Sequence, residues 1–369
     1  MKKTVCFLLV CMMLCMIAPF ATADEDFTVT YQIPKGKPES RLSDADVMTR
    51  VTLPRLQKIE LVLSNAGSGR TLYLEWFTLP KGADITQFNE SGEMINSFEI
   101  SDSNRYAETI PLDPSCVRIA LEATASDCII STLFVSDQAP EPERCWLSET
   151  PEACDILVIA PTPADVMEVF GPTIVKYAIG HGMSVGIVCM TVDYRYRLAE
   201  LNRTLVKLGI DKAPITFGID DKNYAMVADT SDEARWQEQC RRVKEIWTEN
   251  DAEGRLASLI GEMKPKIVLT VDQKEYDLRA SETYALVSAA FKGGASADKL
   301  YIASDTGTTK VDCTETMSTL NGWSAHKTAT EAYRLMESRG MYRIRLPQKP
   351  AYRLERKKVA DDARKDDLL

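Results

Sequence analysis

Two rhythms of hydrophobic and polar positions divide the chain. From Asp24 to about Ser136, apolar and polar residues alternate in the short runs KIELVLSN, TLYLEWFTL, EMINSFEI, VRIALEAT and CIISTLFVS, the period of strands with one buried face. Clusters of turn-forming residues, Asn65-Ala66-Gly67-Ser68-Gly69 and Thr124-Ala125-Ser126-Asp127 among them, separate these runs at hairpin spacing. The pattern predicts an antiparallel all-β sandwich. Trp76 and Phe77 are adjacent in one run, so one of the two faces inward.

Beyond Cys154 the apolar runs become continuous: DILVIA, SVGIVCMT, APITFGI, KIVLTVD and KLYIAS. Strands buried on both faces read this way. Between them lie stretches of helical period: Asp165 to Ile179, YRLAELNRTLVKLG, a long amphipathic stretch from Ser231 to Met263, and SETYALVSAAFK. Alternation of strand and helix predicts an α/β unit, a Rossmann-like parallel sheet with helices on both faces. Ligands of such sheets bind at the carboxyl ends of the strands.

The two ends and the middle of the chain differ from both rhythms. Lys2 and Lys3, an apolar stretch from Val5 to Phe20 and the small-x-small site Ala21-Thr22-Ala23 have the order of a secretory signal peptide, with cleavage expected after Ala23 and a secreted or extracytoplasmic product. No later apolar stretch reaches the ~20 residues of a membrane span. The segment QAPEPERCWLSETPEAC reads as a linker, and KPAYRLERKKVADDARKDDLL as a charged, solvated or disordered tail. The expected divisions are therefore 1–23 signal peptide, 24–137 sandwich, 138–153 linker, 154–346 α/β unit and 347–369 tail.

The net charge of −10 becomes −12 once Lys2 and Lys3 leave with the signal, which argues against nucleic acid or an anionic membrane as partner. Seven of the ten cysteines stay: Cys116, Cys128, Cys145, Cys154, Cys189, Cys240 and Cys313. An odd number without close pairs does not read as a disulfide framework or a thiolate zinc site. Cys145 and Cys154 either pair across the linker or are ordinary thiols.

The stretch LSDADVMTRVTLP followed by KIELVLSNAGSGRTLYLEWF resembles the start of galactose-binding-like jelly rolls of the discoidin type. That resemblance implies a sugar site at the loop end and a structural calcium after the first strand. Asp44, Asp46 and Thr49 take the positions of the calcium loop, whose hard oxygen ligands suit the ion. The same acids also serve as simple turn caps. No aromatic platform for a sugar can be assigned.

In the second unit, LVIAPTPADVMEVFGPTIVKYAIGHGMSVGIVCMT, Arg197, Glu200 and Leu208-Gly209 in YRLAELNRTLVKLGI, KPKIVLTVDQKEYDLRAS and LNGWSAHKTATEAYRLMESRG follow one another along the chain. Together they resemble the PIG-L or LmbE-like deacetylases, zinc enzymes that remove acetyl from N-acetylglucosamine-type sugars. The marks run in family order from about Asp155 to Met341. Amide hydrolysis by zinc needs fixed nitrogen or oxygen ligands, an open position for water, and a carboxylate base. By position, the metal histidine is Thr162, the base aspartate Ala164, the metal aspartate Asp165, and the following glutamate Val166. Leu278 with Ser281, or Glu275 with Leu278, stand at the later histidines; Val271 replaces another, and Met336 to Arg339 replace the closing motif. Zinc is therefore not expected. Arg197 keeps the position associated with holding the sugar, though an ion pair with Glu200 one turn on explains it equally.

The chain owns two histidines. His181 follows the helix that begins near Asp165, about 22 Å long at 1.5 Å per residue, and so belongs at the opposite end of the sheet. His326 has no evident partner. An oxygen-only pocket of Asp165, Asp272, Glu275 and Asp277 with Thr162 would suit calcium or magnesium; alternatively these carboxylates are solvated or paired with Arg197 and Arg279. The expected function is a secreted protein of deacetylase fold that has lost zinc hydrolysis and binds a glycan or cell-envelope polysaccharide, or serves as an envelope scaffold. Two alternatives stand beside it: an active metal-dependent N-acetylglucosaminyl deacetylase, a hydrolase, with a rearranged site on Asp165, and a structural protein that binds another protein.

Overall fold

The structure is a computed structural model, and it describes residues 29–32, 42, 49–101, 106–137, 150–192, 195–219, 233–273, 277–294, 296–334, 336, 345–357 and 368. The segment read as a signal peptide, Asp44, Asp46, Cys145, Glu275 and most of the linker lie outside them.

Nine strands come first: β1 (Val29–Gln32), β2 (Val51–Leu53), β3 (Lys58–Leu63), β4 (Thr71–Trp76), β5 (Gly82–Phe88), β6 (Met94–Ser101), β7 (Ala107–Pro111), β8 (Arg118–Ala123) and β9 (Cys128–Ser136). They form two antiparallel sheets, in the orders β1-β3-β8-β5-β6 and β2-β9-β4-β7. The alternation seen in the sequence decides the core. Ile59, Leu61 and Leu63 of β3 and Ile119 and Leu121 of β8 meet Leu72, Leu74 and Trp76 of β4 and Ile130 and Leu133 of β9 in one apolar cluster. Trp76 is fully buried and is the inward member of the pair, while the Arg50 guanidinium stands 4.9 Å over the Phe77 ring.

The second unit follows: β10 (Ile156–Ala160), α1 (Pro163–Ile174), β11 (Val185–Thr191), α2 (Arg195–Lys207), β12 (Ile215–Ile219), α3 (Glu233–Glu249), α4 (Ala252–Met263), β13 (Ile267–Val271), α5 (Leu278–Lys292), β14 (Lys299–Ala303), β15 (Thr309–Lys310), β16 (Thr316–Met317), β17 (Trp323–Ser324), α6 (Ala325–Tyr333) and β18 (Ala351–Lys357). The sheet order is β12-β11-β10-β13-β14-β18-β15. Its first five strands are parallel, and helices cover both faces. Along β10, Ile156, Val158 and Ala160 enter the cluster made with α1, α2 and α6, while Leu157 and Ile159 enter the one made with α3, α4 and α5. Two buried faces explain why these strands read as unbroken apolar runs.

Three expectations need correction. The tail is not uniformly solvated: Ala351–Lys357 form β18, antiparallel to β14, with Tyr352 fully buried, so the sheet is mixed rather than purely parallel. Backbone pairing with the open edge of β14 stabilises a charged segment that has little apolar surface of its own. The stretch from Ser231 to Met263 is two helices, because Asp251 takes a left-handed conformation at φ 47°, which Asn and Asp tolerate better than other non-glycine residues. The first helix starts at Pro163, and its α-helical part ends at Ile174 before a π-helical turn over Val175–Gly180. Pro172, inside this helix, has no N–H for the carbonyl one turn back and disturbs the ladder just ahead of that turn.

The sandwich packs against β12. A Cβ on Gly218 would stand 2.4 Å from Leu79 Cδ1 in the loop after β4, and the backbone there, at φ +64°, favours glycine.

Candidate functional site

Strand order reverses between β10 and β13, the neighbouring strands from which the chain proceeds in opposite directions across the sheet. The crevice outside their carboxyl ends is the position at which folds of this kind bind ligands. Pro161, Thr162 and Asp165 follow β10, and Asp272 follows β13.

Each polar group there has a partner of its own. Thr162 is 3% exposed and caps α1: its Oγ1 accepts from the Asp165 N–H at 3.3 Å and donates to Asp165 Oδ2 at 2.7 Å. Pro163 sits at the helix start, where a missing N–H costs nothing, and the Asp165 carboxylate lies in the first turn, where the helix dipole favours it. Around them the Thr270 and Thr191 hydroxyls, both buried, donate to the carbonyls of Ile159 and Pro161, each at 2.9 Å. Ala164 is half-buried, and Val166 is fully buried in the α1 cluster. Burial pushes the Cys189 thiol well above its ordinary range, and the nearby Asp165 charge adds to the effect.

From the β13 side, Asp272 is gripped by a residue of the segment read as a tail. Arg353 Nη1 and Nη2 reach its two carboxylate oxygens at 3.2 Å each, a fork that raises the affinity of the guanidinium for its proton. Arg353 Nε also meets Glu355, which accepts from the Tyr284 hydroxyl. Asp277 caps α5 by accepting from the Ala280 N–H at 3.1 Å, with Arg279 4.0 Å away. Leu278 is half-buried at the start of α5 and packs on the core, and Val271 is buried. Among the described residues, no three His, Cys, Asp or Glu side chains converge as a metal site would require.

Arg197 lies inside the protein. It is 5% exposed on α2, and its Nη1 lies 3.4 Å from Glu200 Oε2 and 3.2 Å from the Met336 carbonyl. The helical ion pair read from the sequence is present, but buried. Placed inside the protein, it joins α2 to the chain after α6 and holds the guanidinium away from solvent. His181 ends the π-helical turn before β11, on the amino side of the sheet and away from Asp165; its N–H donates to Lys176 O and its ring leans on Tyr177. His326 has a partner after all: its Nε2 is 3.1 Å from the Leu346 carbonyl, so that nitrogen carries the proton. In the sandwich, Thr49 precedes β2 and is half-buried. Cys154 is a free, buried thiol.

Sequence reading missed Arg353 and Tyr352. Tyr352 is fully buried, with its hydroxyl 2.7 Å from Thr173 Oγ1 on α1. The signal lay in YRLE, where Arg353 and Glu355 alternate with Tyr352 and Leu354, the period of a strand.

No known family profile matches the chain, and no curated protein matches it. Solved structures are similar to its parts. The conserved protein TT1542 from Thermus thermophilus is 16% identical over 56% of this chain and 97% of its own, at a TM-score of 0.37. CBM32-2 of GH31 bound to GalNAc is 11% identical over 31% of this chain and 99% of its own, at 0.27. A pectin-binding carbohydrate-binding module is 17% identical over 30% of this chain and 91% of its own, at 0.25.

Proposed function

We propose that this is an exported, non-hydrolytic glycan-binding protein, built from a galactose-binding-like sandwich and a PIG-L-type α/β unit that has lost deacetylase activity. One observation carries the reading: the polar groups at the switch point are engaged with one another. Asp165 is bound to its own helix cap and Asp272 to Arg353. The residues at the family positions do not fit zinc. Val166 and Leu278 have no donor atom, the Thr162 hydroxyl donates its proton to Asp165, and Ala164 has no carboxylate to take a proton from water. Binding of a polysaccharide then falls to the sandwich, whose resemblance to sugar-binding jelly rolls is carried by residues 42–77.

The test is metal analysis of the purified mature chain beside an assay for acetate release from N-acetylglucosamine and chitooligosaccharides, with retention on a panel of immobilised polysaccharides. The expected outcome is no bound zinc, no acetate release, and retention on at least one polysaccharide that the isolated α/β unit does not show. Tightly held zinc in stoichiometric amount with turnover overturns the loss of hydrolysis. Failure to bind any polysaccharide overturns the glycan role.

A further inference from the structure

The last strand of the first sheet, β6, has no strand on its outer side among the described residues. Other edges in the structure are short or protected: β2 has three residues, β15 has two, β7 ends on Pro111, and β12 carries the sandwich loop at Leu79. β6 has eight residues, without proline and without a basic side chain; a bulge at its start leaves Asn96–Ser101 in regular register with Gly82–Gln87.

The direction of its backbone groups follows from one hydrogen bond. The Ser97 N–H is satisfied by the Asn96 side chain, Oδ1 at 2.9 Å, rather than by β5, so Ser97 directs its main-chain groups outward. In an antiparallel pair the outward direction recurs at every second residue, which adds Glu99 and Ser101. No described group reaches the outward N–H and C=O of either.

Glu99 and Ser101 open onto a cleft of about 470 Å³ between the sandwich and the α/β unit. Glu108 of β7, Glu152 before β10 and Glu262 of α4 also line it, and among the described residues no Lys or Arg does. Ile100 beneath the edge is buried, so the cleft offers a hydrogen-bonding rail with carboxylates on both sides.

We propose that β6 and this cleft dock an extended, basic polypeptide segment, which adds as a strand to the edge at Asn96–Ser101. Main-chain bonds to Glu99 and Ser101 hold such a segment, and alternate Lys or Arg side chains meet Glu99, Glu152 and Glu262 while the others lie along the sheet. Charge complementarity selects a protein strand that is basic and disfavours an acidic one.

The probe is an eight-residue alternating Lys-Val peptide, labelled and titrated against the full mature protein by fluorescence anisotropy at low and at physiological salt. A second peptide of the same sequence carries N-methyl groups on every backbone nitrogen, which keeps every charge and removes the donors of both edges, so that it cannot add as a strand. Binding of the first is expected, weakened by salt, and at least about tenfold weaker for the methylated peptide, since each lost net hydrogen bond costs about two- to tenfold in affinity. Ser101→Pro removes one outward donor without touching the bonds to β5 and is expected to weaken binding, as is the pair Glu99→Lys with Glu262→Lys. Equal binding of both peptides overturns the proposal, as does no binding at about 1 mM, the weakest affinity the titration reads. Displacement of the peptide by a cationic amino-sugar oligomer that itself is unaffected by Ser101→Pro also overturns it, since that would make the cleft a site for charge alone. Because the methylated peptide needs no change in the protein, the proposal remains testable even if a variant misfolds.

Discussion

Thr162, at the carboxyl end of β10, does structural work. Its hydroxyl accepts from the N–H of Asp165 and donates to the same residue's carboxylate, which closes the first turn of α1 at the end of β10. Removing an N-cap hydroxyl costs about 1 kcal/mol, in a range of about 0.5–2. Thr162→Ala is therefore expected to lower the urea midpoint by the equivalent of about 1 kcal/mol and to leave zinc content unchanged. An unchanged midpoint would mean that the cap contributes nothing, and that the Thr162–Asp165 pair is free for another use. The location of this turn was legible in the sequence, because an apolar run that stops on Pro-Thr-Pro and passes into a helical period marks a strand end followed by a helix start. The engagement of Asp272 was not. Its partner Arg353 is 81 residues away in a charge-dense segment, and spacing carries no information about contacts across that distance. Arg197 was legible as a helical pair with Glu200 but not as a buried one, since burial depends on the chain after α6 closing over it.

At the scale of elements, period and length were legible and closures were not. The continuous apolar runs identified the parallel strands, yet β18 announced itself only as alternation in a polar tail, and it is the open edge of β14 that makes it a strand. Two glycines test how tightly that closure fits. A Cβ on Gly307 would lie 2.4 to 2.5 Å from the backbone of Tyr352, where no flexible side chain can give way. Gly307→Ala must move β18 and its buried Tyr352, a kind of overpacking that costs about 1–3 kcal/mol. Gly261 in α4 has nothing within 4 Å of the same added atom. Gly261→Ala is expected to stabilise by up to about 1 kcal/mol through helix propensity. Thermal melting of both variants reads the contrast directly: a melting point raised by the first, or lowered by the second, would contradict the packing at these positions. The split between α3 and α4 belongs to the same lesson. A helical period runs through Asn250-Asp251 in the sequence, but the chain turns there because these side chains tolerate a left-handed backbone, which a count of apolar spacings does not register.

Across the whole molecule, buried thiols connect composition with stability. Desolvation raises Cys128 and Cys154 to about 11 and Cys313 to about 12, and Cys189 is shifted upward as well. All four are buried in the two units, with Cys128 in the sandwich and the others in the α/β cores. An unfolded thiol ionises near pH ~8.5, so above that pH the unfolded chain releases protons that the folded chain retains. The stability contributed by keeping these groups neutral is fully present below the unfolded value and is lost as pH rises from about 8.5 towards the folded values. Each unit of separation corresponds to about 1.4 kcal/mol at the limit. The expected outcome is a urea midpoint that is flat from pH 7 to 8 and falls steadily from 9 to 11. Tyrosines and lysines of the unfolded chain also titrate in that window, so the thiol share is isolated with Cys154→Ala, which should flatten part of the slope while lowering the midpoint at pH 7 only modestly. Labelling with a thiol reagent at pH 8 provides an independent reading. Buried thiols should react at the rate of unfolding, slowly in buffer and at once in strong denaturant. Rapid labelling of the four in buffer, together with a midpoint that stays level to pH 11, would show that the cores are open to solvent and that the burial of these cysteines does not hold in solution.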